Sequence, residues 1–416
     1  MRALYSGVTG IRSHQVRMDV IGNNIANVNT TGFKGSRVSF TDVFNQTLSS
    51  GSKLTNPMQI GLGVGVGSTD VNQEDGSFQM TGRALDLAIQ GTGLFILRGS
   101  DGSQVYTRAG NFDWNTDGYL FNPANGMRVQ GWMADENGVI GRTDVGTLTD
   151  IRMVRGDVSL AQASNAASFK GNLDAGAAID TEYETPFTAY DSLGRPIAIT
   201  MRFTKTEEGA WHWEAFQGSP PEAVGSGDLE FDNNGKLSYD PDDNTSGFGT
   251  VTFDIDGADN LNIVINFRSI TQGYESSTDS STTNKSSVII DKINGTKMGI
   301  LDSVYIDESG VITGRYTNGT TRVLAQVALA SFNNMAGLMK IGGSTFAESP
   351  ASGVPQVGTP NTGGRGGLVP GNLEGSNVDL AAEFTNMIMT QRGFQANTKM
   401  VTTADEMMGD LINLRR

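Results

Sequence analysis

The stretch LAAEFTNMIMTQRGFQANTKMVTTADEMMGDLINLRR, residues 380–416, decides how the rest of the chain is to be read. Leu380, Phe384, Met387, Gln391, Phe394, Thr398, Val401, Asp405, Met408 and Ile412 stand alternately four and three apart. That spacing predicts one long helix with a heptad seam. Ser376 or Asn377 offers an N-cap, and Asp379 sits in the first turn, where negative charge is favoured. The other end mirrors it. Leu4, Val8, Ile11, Met18 and Ile25 repeat the pattern, with Gln15 and Gly22 filling the gaps. A seamed helix on its own leaves apolar surface in water, so each needs a partner helix. An intrachain hairpin would still leave Val20, Ile21, Val28, Ile388 and Leu411 outside, which points to further copies of the chain.

Between the ends the texture changes to short β-branched and aromatic runs broken by Gly, Asn and Asp, as in LFILRGSDGSQVYTRAGNFDWNTDGYLFN (94–122) and VTFDIDGADNLNIVINF (251–267). Antiparallel strands and tight turns are expected there. Gly/Ser/Pro-rich stretches at 46–57 and 349–375 read as extended linkers, and the polar segment 272–287 as a surface loop.

Composition narrows the chemistry. Glycine supplies 54 of 416 residues, cysteine none and histidine two, so disulfides, thiol catalysis and Cys-based metal sites are excluded. Thirty Lys and Arg against 45 Asp and Glu give a net charge of −15, which disfavours nucleic acid and anionic membrane as partners. The charge is uneven: residues 1–37 hold five basic and one acidic side chain, residues 172–297 eight basic and 21 acidic. The acidic stretch is expected to face solvent. No apolar run is long enough to span a bilayer, and the first residues lack the continuous apolar core of a cleaved leader.

No catalytic constellation emerges. Asp113, Asn115, Asp117 and Gly118 match part of a calcium loop, but Ala124 stands where the bidentate Glu is required, and an Asx-rich hairpin turn is expected instead. Asp240, Asp242 and Asp243 form another acidic turn, with Thr245 in place of the sharp-turn glycine. GLGVGVG at 61–67 alternates its glycines and fits no phosphate-binding pattern. His14 reads as the polar flank of the first helix. His212 lies between Trp211 and Trp213, so strand alternation puts both indoles on one face and His212 with Glu214 on the other. No catalytic, cofactor-binding or metal residues are assigned, and the chain is not expected to be an enzyme.

IGNNIANVNTTGFKGSR (21–37) and NLEGSNVDLAAEFTNMIMTQRGFQANTKMVTTADEMMGDLINLRR (372–416) resemble the terminal signatures of the rod and hook family of bacterial flagellar axial proteins. GRALDLAIQGTGLFIL (82–97) and YTRAGNFDWNTDGYLFNPANGMRVQGW (106–132) are similar to the family's shared core. TPFTAYDSLGRPIAITMRFTK (185–205) and YTNGTTRVLAQVALASFNNMAGLMKIG (316–342) resemble the hook-type members, whereas NQTLSSGSKLTNPMQIGLGVG (45–65) looks like an insertion typical of distal-rod members.

The resemblance implies an α+β, mainly β fold, with discontinuous antiparallel β domains and terminal helices forming a coiled-coil-like inner domain. The expected divisions are a helical domain from 1–30 with 374–416, linkers at 31–69 and 349–373, a middle β domain from 70–171 with 298–348, and an outer β domain at 172–297. It implies a flexible tubular homopolymer acting as a universal joint, with Leu4, Val8, Ile11, Met18, Ile25, Leu380, Phe384, Met387, Phe394, Val401, Met408 and Ile412 at the assembly interface. Implied partners are the chain itself, the distal rod, hook cap and hook-filament junction proteins, and the flagellar type III export apparatus. Implied location is the extracellular hook, reached without a cleaved signal peptide, and no cofactor is implied. Phe40 and Phe44 in SFTDVF resemble the family's export-gate motif, although a local packing pair at i and i+4 accounts for them equally. The alternatives are a distal-rod-like axial protein or a secreted calcium- or carbohydrate-binding β protein.

Overall fold

The computed structural model describes residues 2–49, 51, 56, 58–135, 137–141, 143–153, 156–218, 222–239, 247–255, 257, 259–274 and 286–413. The acidic turn with Asp240, Asp242, Asp243 and Thr245, most of the polar loop at 272–287, and the side chains of Leu411 and Ile412 lie outside the described residues.

Two long helices bracket a β-rich chain: α1 over Arg2–Ala26 and α2 over Leu380–Asn413. The cap of α2 is neither Ser376 nor Asn377. Asp379 Oδ1 accepts from the amides of Ala381 (2.8 Å) and Ala382 (3.3 Å), satisfying amide donors that the first helical turn leaves open. Asn377 instead accepts from the Gly35 amide and donates to the carbonyls of Asn72 and Glu74, so it stitches the approach to α2 onto the segment after α1.

The stretches expected to be extended linkers contain paired strands among their described residues. Ser36–Asp42 pairs antiparallel with Val64–Val71, and Asn45–Ser49 with Met58–Gly61. On the other side Gln356–Gly358, Gly367–Pro370 and Asn372–Glu374 pair with Leu329–Ser331, Leu87–Gln90 and Phe78–Met80. Their glycines mark turns rather than slack: Gly363, Gly364 and Gly371 have positive φ, which closes turns between paired residues at no steric cost.

The chain divides into two compact units. One comprises Met1–Arg155, Val304–Gly314 and Arg322–Arg416; the other comprises Gly156–Ser303 and Arg315–Thr321. In the first, Arg128–Met133, Leu94–Arg98, Gln104–Thr107 and Thr345–Ala347 are consecutive antiparallel neighbours, burying Leu94, Ile96, Tyr106, Trp132, Phe332 and Phe346 together. The turn holding Asp113, Asn115, Asp117 and Gly118 joins the paired strands Asp113–Trp114 and Leu120–Phe121. Asn115 Oδ1 is occupied there by the Tyr119 amide at 2.7 Å.

The second unit starts at 156 rather than 172, because Ala166–Asp174 is an interior strand of one of its sheets. That sheet runs Phe248–Phe253, Leu261–Gly273, Ala166–Asp174, Ile289–Ile293. Its central pair is parallel, a departure from the expected all-antiparallel arrangement. The other sheet is an antiparallel meander of Glu182–Tyr190, Pro196–Glu207, Ala210–Gln217 and Glu222–Glu230. Phe169, Phe203, Trp211, Trp213 and Phe267 fill its core, while His212 points away and meets Asp228 at 2.6 Å.

Candidate assembly site at the chain ends

The helices run antiparallel, and the surface that joins them is offset from the apolar seam, which it meets at Val401. On α1 the buried residues are Gly7, Gly10, Ser13, Ile21 and Asn24. A Cβ placed on Gly7 would lie 2.9 Å from Val401 Cγ2, and one on Gly10 would lie 2.7–2.9 Å from the Asn397 amide group. Gly393 gives the reciprocal gap, filled by the His14 ring. Backbones therefore approach closely, with small residues set opposite larger ones. Polar pairs finish the contact: Asn24 Nδ2 donates to Glu383 Oε1 at 3.0 Å, and Asn24 also bonds both backbone groups of Ser36.

His14 thus lies inside the joint, with its ring edge-on to Phe40 at 5.5 Å, and not on a polar flank. Burial and then the charge of Arg17 lower its pKa, so the imidazole is held neutral. Phe40 is half-buried against His14, and its strand geometry replaces the helical i to i+4 pairing considered for Phe44. Phe44 itself is 62% exposed.

Of the seam residues, Leu4, Ile11, Met18 and Ile25 are half-buried and Val8 is exposed. On α2, Leu380, Phe384 and Met408 are exposed, whereas Met387, Phe394 and Val401 are half-buried, Val401 against Gly7. Thr390 and Ala404 are the buried residues at the centre of the contacting face. The mating face is offset around the helix from the apolar seam, which one folded chain leaves partly open, most of all at Val8, Leu380, Phe384 and Met408.

A second feature ties the ends to the β body. Glu374, fully buried, accepts from Lys34 Nζ (2.7 Å), Arg108 Nε (2.5 Å) and the Gly76 amide (2.9 Å). Lys34 Nζ also donates to the Glu74 carbonyl at 2.6 Å. Arg108 spends its remaining donors on Asp75 Oδ1 and on the carbonyls of Ile89, Gly91 and Gly93, all at 2.6–2.7 Å. Burial lowers the Lys34 pKa, and the bond to Glu374 opposes that shift. Two cations and two carboxylates thus form a satisfied network, the condition under which buried charge is tolerated. Gly32 makes the approach possible: with φ +66° it turns the chain where a Cβ would lie 2.5 Å from the Ala109 nitrogen.

Residue reading alone did not find this network, although three of its four members were in view. Lys34 lies in GFKGS, Arg108 in YTRAG and Glu374 in NLEGS, three of the stretches quoted for the resemblance.

Paired helical ends clamped to a β body define a structural subunit with no catalytic cleft assigned, and comparison with known proteins bears on each part. Residues 4–34 match the family "Flagella basal body rod protein", 88–168 "Flagellar hook protein FlgE/F/G D1 domain", 160–286 "Flagellar basal body protein FlaE D2 domain", and 369–414 "Flagellar basal body rod FlgEFG protein C-terminal". The flagellar hook protein FlgE of Borreliella burgdorferi is 40% identical over all of both chains, and that of Treponema pallidum 37% over all of both. The Escherichia coli hook protein is 32% identical over 99% of this chain and 100% of its own. Among solved structures, Helicobacter pylori hook protein FlgE2 aligns with a TM-score of 0.49 at 15% identity, covering 70% of this chain and 98% of that one. The chain belongs to the flagellar hook protein family, and its role is that of a structural hook subunit.

Proposed function

We propose that the subunit polymerises into a flexible tube through its terminal helices and transmits torque from rod to filament. The observation that carries this is the offset between the two faces of α2: small and polar residues hold α1, leaving Phe384 51% exposed beside Leu380 and Ile388. Open apolar surface of this kind marks an interaction site, and a chain that repeats itself in a tube can cover it with copies of itself. Contacts between inner helices would be apolar and strong, and those between acidic outer surfaces polar and weak, which suits bending. The distal rod, hook cap, hook-filament junction and type III export apparatus are the further partners this reading names. Phe40 and Phe44 would both be available to an export gate only in an unfolded chain, because Phe40 packs on α1 in the folded one.

The test is sedimentation and electron microscopy of the purified chain at rising concentration. Tubes should appear above a threshold concentration. A species that stays monomeric while α1 and α2 remain helical would contradict the reading.

A further inference from the structure

Methionine is concentrated where the assembly reading places contacts. Five of the 16 methionines lie in α2: Met387, Met389, Met400, Met407 and Met408. Met389, Met400 and Met407 are 60%, 48% and 57% exposed. At 3.6 residues per turn these three point within about 20° of one another. They form a single stripe. It lies on the opposite side of the α1-facing residues Thr390, Asn397 and Ala404 from the Leu380 and Phe384 seam. Ala396, also exposed, continues the stripe between Met389 and Met400.

We propose that Met389, Met400 and Met407 form a peroxide-modifiable face, through which oxidation of the free subunit blocks its addition to a second copy. This rests on the polymerisation reading above. Thioethers are apolar and flexible, so a methionine stripe can pack against neighbours whose registers differ. The same sulfurs are open to hydrogen peroxide in an unassembled chain. The thioether sulfur attacks one peroxide oxygen, the O–O bond breaks, an S–O bond forms, and water leaves. Sulfur is oxidised by two electrons and the peroxide reduced by two. The resulting sulfoxide is polar, so a face that packed dry as methionine must be desolvated at a cost as sulfoxide. Free cysteine, the usual competitor for peroxide, is absent.

The test compares the full chain with the triple variant Met389→Leu, Met400→Leu, Met407→Leu, a volume-conserving change on an exposed helical surface. Each is treated with hydrogen peroxide as unassembled subunit, mapped by peptide mass spectrometry, and assayed for its critical concentration by sedimentation. Other exposed methionines, such as Met80, Met58, Met298 and Met339, are oxidised in both chains. The wild type carrying sulfoxides at all three stripe positions as well should need a roughly tenfold or higher concentration to assemble, and the leucine variant, oxidised only elsewhere, should assemble alike before and after treatment. Unchanged assembly of the oxidised wild type, or equal loss in the leucine variant, would overturn the proposal. So would failure of the untreated leucine variant to assemble with its helices intact. If the untreated wild type never assembles, the polymerisation reading falls first, and this inference with it.

Discussion

Glu374→Gln is expected to destabilise the helix-bearing unit by about 3–5 kcal/mol, the usual cost of stranding a buried charge by removing its partner. Lys34 and Arg108 are both 2% exposed and would be left with Asp75 alone as counter-charge. The Gln side chain keeps the shape and one acceptor, so the loss measures charge rather than cavity. Lys34→Met combined with Glu374→Gln restores the balance, with Arg108 against Asp75, and should recover part of the loss. Hydrogen exchange localises the effect. Amides near Ile89–Gly93 and in both helices should lose protection together, because Arg108 binds the carbonyls of Ile89, Gly91 and Gly93 while Glu374 and Lys34 hold the helix approaches. The unit formed by Gly156–Ser303 and Arg315–Thr321 should keep its protection. A change below about 1 kcal/mol would mean the network contributes only what an exposed ion pair does.

Phe384→Ala with Phe394→Ala is expected to raise the critical concentration for assembly by orders of magnitude. In one folded chain Phe384 is 51% exposed and Phe394 half-buried, so truncation should cost the monomer less than it costs the polymer. In a polymer both rings would be covered, and a buried Phe→Ala change costs about 3–5 kcal/mol. Each 1.4 kcal/mol is about tenfold in an equilibrium constant. Sedimentation of the assembled fraction and thermal unfolding of the monomer should therefore diverge. Equal, large losses in both would place the rings in an intrachain core.

How much of this was legible in the sequence depends on what kind of residue does the work. Heptad spacing announced both helices, and alternation put Trp211 and Trp213 in a core with His212 outside, because burial leaves a periodic apolar signal. The face joining α1 to α2 left none: Gly7, Gly10, Gly393 and Asn397 act by letting backbones approach, and a search for apolar spacing passes over them. The supposed linkers misled for a related reason. Glycine and proline there serve turns between short paired strands, and composition does not separate that use from slack chain. The ionic network needs Lys34, Asp75, Arg108 and Glu374 brought together from distant positions, and only the fold supplies that. The parallel pairing of Ala166–Asp174 with Leu261–Gly273 was hidden likewise, since strand direction is set by topology and not by local pattern.

The central claim is that small residues join α1 to α2 within one chain, leaving the apolar faces free for neighbours. Because the chain has no cysteine, Gly7→Cys with Val401→Cys gives a clean probe: a Cβ at Gly7 lies 2.9 Å from Val401 Cγ2, within reach of a disulfide. Assembled tubes of this variant would be oxidised and run on a non-reducing gel. The account predicts one band of single-chain mass with the tubes intact. Ladders of linked chains, or tubes that dissolve as the bond closes, would contradict it.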